Sequence, residues 1–251
     1  DQPFEIHVIG TPSEESLDGG KNEMAAHGGF DHIDVAFMVH GSTLTQLETP
    51  SLALIEMDVE FHGKTAHAGI APYAGRSAVD AVTMLQTGLG LMRNHLKDSS
   101  RVSNIVLAGG TAVNSVPDFA KVKVEIRHSS MAYLESVEQW TREIAQAAAM
   151  ATQTQVQITS VAHIYNTTIN DAMGALLMEC AEKFACDGIA PPRKDCGSTD
   201  FGAVTHRLPS CCLRVKTIET DDPPHTDAWV KTGKEARAHQ GIYDGAVCCA
   251  L

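Results

Sequence analysis

The chain has 251 residues, with 19 Lys and Arg against 31 Asp and Glu, a formal net charge of −12. That excess of acid argues against nucleic acid and against an anionic membrane surface as partners, because both need clustered cations. Apolar residues at 43 % and charged residues at 20 % are ordinary globular usage, which excludes disorder as the main state.

In chain order, Glu5–Gly10 reads as a short buried strand ending at Gly-Thr-Pro. Ser16–Gly29 reads as a helix closed by Gly28-Gly29, and Val35–Val39 as a second apolar strand before the break at Thr49-Pro50. No charged stretch followed by an apolar one opens the chain, and no window holds about 18 apolar residues in a row. Neither a signal peptide nor a membrane span is therefore expected, and the expected location is cytoplasmic.

The pattern changes at Leu52. Ala53, Ile55, Met57, Val59 and Phe61 alternate with Leu54, Glu56, Asp58 and Glu60, the period of a half-exposed strand. Ala78, Val82, Leu85, Leu89, Met92 and Leu96 then form one apolar helical stripe. Val102–Ala108 is a short strand, and Ala120–Arg127 alternates again. Leu134, Val137, Ile144 and Ala148 mark a second helix, and Val156–Val161 a last strand. The order β-α-β-β-α-β is that of the ferredoxin-like split unit, two helices on one face of a four-stranded antiparallel sheet. The fold class expected is α/β. Residues 52–163 are a small domain inserted into a larger α/β domain built from 1–51 and 164–251.

Seven cysteines, at 180, 186, 196, 211, 212, 248 and 249, include two adjacent pairs and no C-x-x-C. This is not a disulfide framework; reduced, mostly buried thiols are expected.

Four clusters can carry chemistry. In Gly10-Thr11-Pro12-Ser13-Glu14-Glu15, adjacent carboxylates at a strand end point in different directions. One can bind a metal while the other acts as general base on a water. The same residues also suit a helix start with Ser13 as cap. His40 closes the second strand, where an open α/β sheet places its ligands, although a lone His is more often a hydrogen-bonded core or loop residue. Asp221–Asp227 holds His225 after two prolines that stiffen the backbone, a setting for a ligand or for a helix-entry loop. Phe61–Gly69 presents His67 on a glycine-rich loop of the inserted domain, which by itself is also an ordinary turn. Gly197–Gly202 is not a Gly-x-Ser-x-Gly elbow, so Ser198 is a weak candidate nucleophile.

GTPSEE, His40, FHGKTAHAGIAPYAGRSAVDAV, GGTAVNSVPDFAKVKVEIRHSS, GSTDFG and PPHTDAW follow one another along the whole chain. Together they resemble the two-metal aminoacylase/amidohydrolase peptidases, nearest to the amidohydrolase and β-alanyl dipeptidase-like branch. The resemblance implies a metallopeptidase-type α/β catalytic domain with an inserted dimerisation lid, and hydrolysis of small N-acyl amino acids or dipeptides. It implies Glu14 as general base and Glu15, His40 and His225 as metal ligands. His67 is implied as the lid histidine that reaches the partner subunit's site and helps hold the oxyanion. Asn114 and Arg127 are implied as lid groups for the substrate carboxylate, which suits the planar fork of Arg; alone, Arg127 reads as a wet sheet-face charge. The implied cofactor is a divalent metal, Zn or Mn, two per subunit in a complete member, and the implied assembly is a homodimer through the lid.

The family takes further ligands from an earlier His-x-Asp or Cys-x-His segment. His32-Ile33-Asp34 has that spelling but follows the glutamate pair, so it reads as a decoy. The chain thus resembles a family member lacking its N-terminal segment. By itself it is expected to bind at most one metal, weakly, and to be inactive. The alternative is a non-catalytic truncated homologue that keeps the lid and an incomplete metal site.

Overall fold

The computed structural model describes residues 4–16, 19–184, 186–194 and 197–250; Cys196 lies outside them. The chain runs through α1 (Gly20–Ala26), β1 (Ala36–Ser42), β2 (Gln46–Leu47), β3 (Ala53–His62) and α2 (Ala78–Met92). Next come β4 (Arg101–Ala108), β5 (Phe119–His128), α3 (Met131–Thr152) and β6 (Gln155–Ile164). It ends with α4 (Asp171–Lys183), α5 (Gly202–Thr205), β7 (Ser210–Lys216), α6 (Asp227–Thr232) and α7 (Ala236–Ala250). The contacts divide it into two compact units. One holds the residues up to Gly20 together with Leu52–Asn166; the other holds Lys21–Ser51 together with the residues from Thr167 on.

In the first unit a four-stranded antiparallel sheet has the order β4-β5-β3-β6. The alternation in β3 and β5 becomes a register: Ile55 faces Ile126, Met57 faces Val124 and Val59 faces Val122. These side chains are all fully buried, beneath Leu85 and Leu89 of α2 and Leu134 of α3. The two helices meet closely at Gly88, where a Cβ would fall 2.4 Å from Ile144 Cγ2. Both begin on a serine cap: Ser77 accepts from Asp80 N and Ser130 from Tyr133 N. On the opposite face Lys123 reaches Glu56 at 2.5 Å and Lys121 reaches Asp58 at 2.7 Å. These cross-strand pairs hold an antiparallel ladder in register. Hydrogen bonding to the carboxylates pushes both lysine pKa values up.

In the second unit β1 and β7 run parallel, from Ala36 opposite Ser210 to Ser42 opposite Lys216, and β2 adds antiparallel to β7. Leu213 and Val215 of β7 pack against Leu177 of α4 and Cys248 of α7. The six described cysteines are free thiols in this unit, four of them buried.

One expected element differs. Glu5–Gly10 forms no strand, and Phe4 and Val8 are 84 % and 96 % exposed. A strand is made by its ladder partner, and none of the described strands pairs with this segment. Two helices are also shorter than their stripes. The first starts only at Gly20, where a Cβ would lie 1.9 Å from Pro12 O. The second passes into a single 3-10 turn at Arg93–His95.

Candidate functional site

The loop after β3 and the loop before β5 are stitched together. Lys64 and Arg76 exchange two backbone hydrogen bonds, of 2.9 and 2.8 Å, and a Cβ at Gly63 would lie 2.0 Å from Arg76 O, so only glycine fits there. Val116 N donates to Ala66 O and Ala68 N to Asn114 O, each at 2.9 Å. His67 thereby pairs with Ser115 and stands next to Asn114, both side chains exposed. Gly69 N–H donates to His67 Nδ1 at 3.2 Å. With Nδ1 the acceptor, the neutral ring carries its proton on Nε2, which makes Nε2–H a donor.

His40 lies on β1 opposite Arg214, and its Nδ1 is 2.6 Å from Gly41 O. The carbonyl accepts only from a protonated Nδ1, whereas a guanidinium donates only to a bare one, so the two neighbours of this nitrogen favour opposite tautomers. Arg214 Nη1 lies 3.1 Å from the same Nδ1, while Arg214 Nε donates to Glu48 Oε2. His225 sits in the loop that follows β7, with φ +64. Trp229 closes this loop by donating Nε1–H to Asp222 O at 2.9 Å. A Cβ at Gly41 would be 3.5 Å from the Trp229 ring, so the indole settles beside the residue that follows His40.

Glu14 and Glu15 occupy a tight turn, Ser13 at φ +57 with Ser16 Oγ donating to Ser13 O at 3.1 Å. Ser13 is therefore no helix cap. Arg127 lies at the end of β5 away from Asn114, eight residues beyond Phe119, which is roughly 27 Å along a strand. It forms a bidentate pair with Glu125, at 2.7 and 3.0 Å. The structure thus brings His67 and Asn114 together and leaves Arg127 apart from them.

Two partners went unforeseen in the sequence. The Glu48–Arg214 pair beside His40 joins residues 166 positions apart. Asp200, inside the GSTDFG stretch, takes both the backbone N–H and the ammonium of Lys21, at 3.0 and 2.6 Å, in full burial. The acidic residue in that stretch was the only signal, and nothing local names its partner.

Among the described residues no three His, Cys, Asp or Glu side chains are grouped to hold a metal ion. Glu15 belongs to the first unit, and His40 and His225 to the second. Among the described residues, too, no helix is long and apolar enough to cross a membrane.

Residues 53–155 match the model of a peptidase dimerisation domain. The chain is 33 % identical over 233 residues to the Xaa-Arg dipeptidase of Mus musculus, covering 91 % of this chain and 54 % of that protein. It is 32 % identical over 174 residues to a p-aminobenzoyl-glutamate hydrolase of Escherichia coli, covering 67 % and 36 %. The chain therefore spans about half the length of the first curated relatives it matches, or less. Its fold matches an aminobenzoyl-glutamate utilization protein from Klebsiella pneumoniae with a TM-score of 0.70 at 25 % identity, over 82 % of this chain and 56 % of that one. It also matches an aminopeptidase from Bacillus cereus with a TM-score of 0.66 at 18 % identity, over 94 % and 62 %.

Proposed function

The chain belongs to the peptidase and amidohydrolase family that carries this dimerisation domain, and we propose that its residues serve the hydrolysis of an amide bond in small N-acyl amino acids or dipeptides. The observation that carries this reading is the bridge of His67 to Ser115 beside Asn114 at one end of the lid sheet, with the His67 Nε2–H as an exposed donor. A fixed donor of that kind holds the oxyanion that forms when water attacks an amide carbonyl. Glu14 is the general base: its carboxylate takes a proton from the attacking water and delivers it to the leaving amine. Asn114 supplies amide donors to the substrate. Arg127, already bidentate with Glu125, is a carboxylate holder only if that pair opens.

Glu15, His40 and His225 are the chain's candidate ligands for the divalent metal on which such chemistry depends; zinc and manganese both suit carboxylate and imidazole donors. They form no group among the described residues.

The lid pairs with a second copy of the chain. Its outer strand β4 exposes Ile105, Val106 and Leu107, and α2 beside it exposes Met84 and Leu91. Gln86 of α2 donates to Asn104 of β4 at 2.8 Å, which ties the helix to this edge strand.

The match of residues 53–155 to a dimerisation domain, taken alone, also fits a second reading, a non-catalytic chain that keeps only the dimerising lid. An assay with zinc and with manganese on N-acyl amino acids and on dipeptides ending in Arg or Lys separates the two. Metal-dependent turnover lost in Glu14→Gln supports hydrolysis; a dimer without metal uptake or turnover supports the second reading.

A further inference from the structure

We propose that Cys186 and Cys248 are an oxidisable pair that closes into a reversible disulfide, a covalent modification site within the second unit. Their sulfurs lie 3.8 Å apart, already in contact. Cys248 is carried by α7, and Cys186 by the segment between α4 and β7. An ion pair holds the same two pieces together: Arg237 of α7 reaches Asp187, the neighbour of Cys186, at 2.7 Å. The same guanidinium reaches Asp244, one turn before Cys248, at 2.9 Å. A guanidinium clamped between these carboxylates keeps the thiols in register, so their effective concentration is high.

The segment carrying Cys186 is anchored beyond it. Thr45 N donates to Gly188 O and Ala190 N to Thr45 O, each at 2.9 Å. Thr45 Oγ1 donates to Asp187 O at 2.6 Å and accepts from Lys216 N at 3.1 Å. A cross-link to α7 therefore fastens a segment that is tied to β2 and to the end of β7. Although Cys186 is buried, Asp187 and Ile189 beside it are exposed, so it lies just beneath the surface.

Burial pushes both thiols up, Cys248 to about 12, and the hydrogen bond with Cys248 draws Cys186 partly back. Cys186, beside the exposed Asp187 and Ile189, is the thiol a reagent reaches first and so the attacking one, and Cys248 on α7 is the resolving one. The Cys186 thiolate attacks a sulfur of a low-molecular-weight disulfide, whose S–S bond breaks to release one thiol. The Cys248 thiolate then attacks the Cys186 sulfur of the mixed disulfide and releases the second thiol. Two electrons pass from the cysteines to the reagent, and their two protons leave on the released thiols.

The test treats the folded chain with oxidised glutathione at mildly alkaline pH and maps the product by peptide mass spectrometry. The expected product is two hydrogens lighter, contains the Cys186–Cys248 peptide pair, and is restored by dithiothreitol. Closing this loop should raise Tm by roughly 5–10 °C. Cys186→Ala and Cys248→Ala should each abolish the pair and the Tm rise, while Cys180→Ala keeps both. Arg237→Gln should slow closure several-fold. A disulfide joining other cysteines, stable glutathione adducts alone, or no oxidation where the urea-unfolded chain oxidises would each overturn the proposal.

Discussion

Gly69 donates its backbone N–H to Nδ1 of His67 at 3.2 Å, which leaves the proton of the neutral ring on Nε2. The expected nitrogen-15 NMR signature is a neutral His67 ring protonated at Nε2 and bare at Nδ1. In an active assembly His67→Ala should lower kcat by roughly 10²–10³-fold with a smaller change in KM, the cost of one oxyanion donor. A loss confined to KM would assign His67 to ground-state binding instead.

Glu14 and Glu15 are adjacent in one turn, yet they should fail differently. Glu14→Gln removes the base and should abolish turnover while metal uptake stays. Glu15→Gln should lose the metal. Calorimetric titration with zinc and with manganese checks both variants; equal metal loss would refute the division of roles. For the unsubstituted chain, three candidate donors support at most one weak site, because a closed zinc site takes four ligands. Two tight sites would show that further residues of this chain are ligands.

The Lys21–Asp200 pair is a structural prediction independent of catalysis. Its side chains are 9 % and 1 % exposed. Lys21→Met strands a buried carboxylate that keeps only the Lys21 backbone N–H of the two contacts. The expected destabilisation is about 3–5 kcal/mol, read from the shift of the urea unfolding midpoint. The double variant Lys21→Met with Asp200→Leu should recover a large part of it, since both charges are then gone.

His225 holds φ +64, a left-handed conformation that costs a residue with a Cβ about 1 kcal/mol. His225→Gly should therefore stabilise the second unit by up to about 1 kcal/mol, less the greater chain entropy of glycine. It should also weaken any metal uptake. Thermal unfolding and the same titration test the two effects together. A destabilised variant would mean that the imidazole contributes contacts worth more than the strain.

The lid was legible because its information is local. Val59 and Phe61 in β3, and Val122 and Val124 in β5, alternate with charges, and the period of two fixes which side chains share the core. The loop motifs placed His67 and Asn114 as candidates, but the nearness of their two loops depends on backbone bonds between residues 46 positions apart, Ala68 to Asn114. Phe4–Val8 has an apolar content that suits a strand and yet stays out of the sheets, since composition does not supply a ladder partner. Arg214–Glu48 and Lys21–Asp200 were unreadable for the same reason. Each charge looks solvated in sequence, and only the fold brings it to its distant counter-charge.

In the proposed assembly the lid joins two copies of the chain, so that His67 of one serves the other. Sedimentation equilibrium at high micromolar concentration tests it most directly. The expected mass is that of two chains for the whole protein, and likewise for residues 52–166 alone, which have their own core. Leu107→Glu combined with Leu91→Glu should convert both to single chains without loss of helical circular dichroism, because both side chains are exposed. A whole protein that sediments as one chain at that concentration, or a dimer untouched by the two charges, would contradict it.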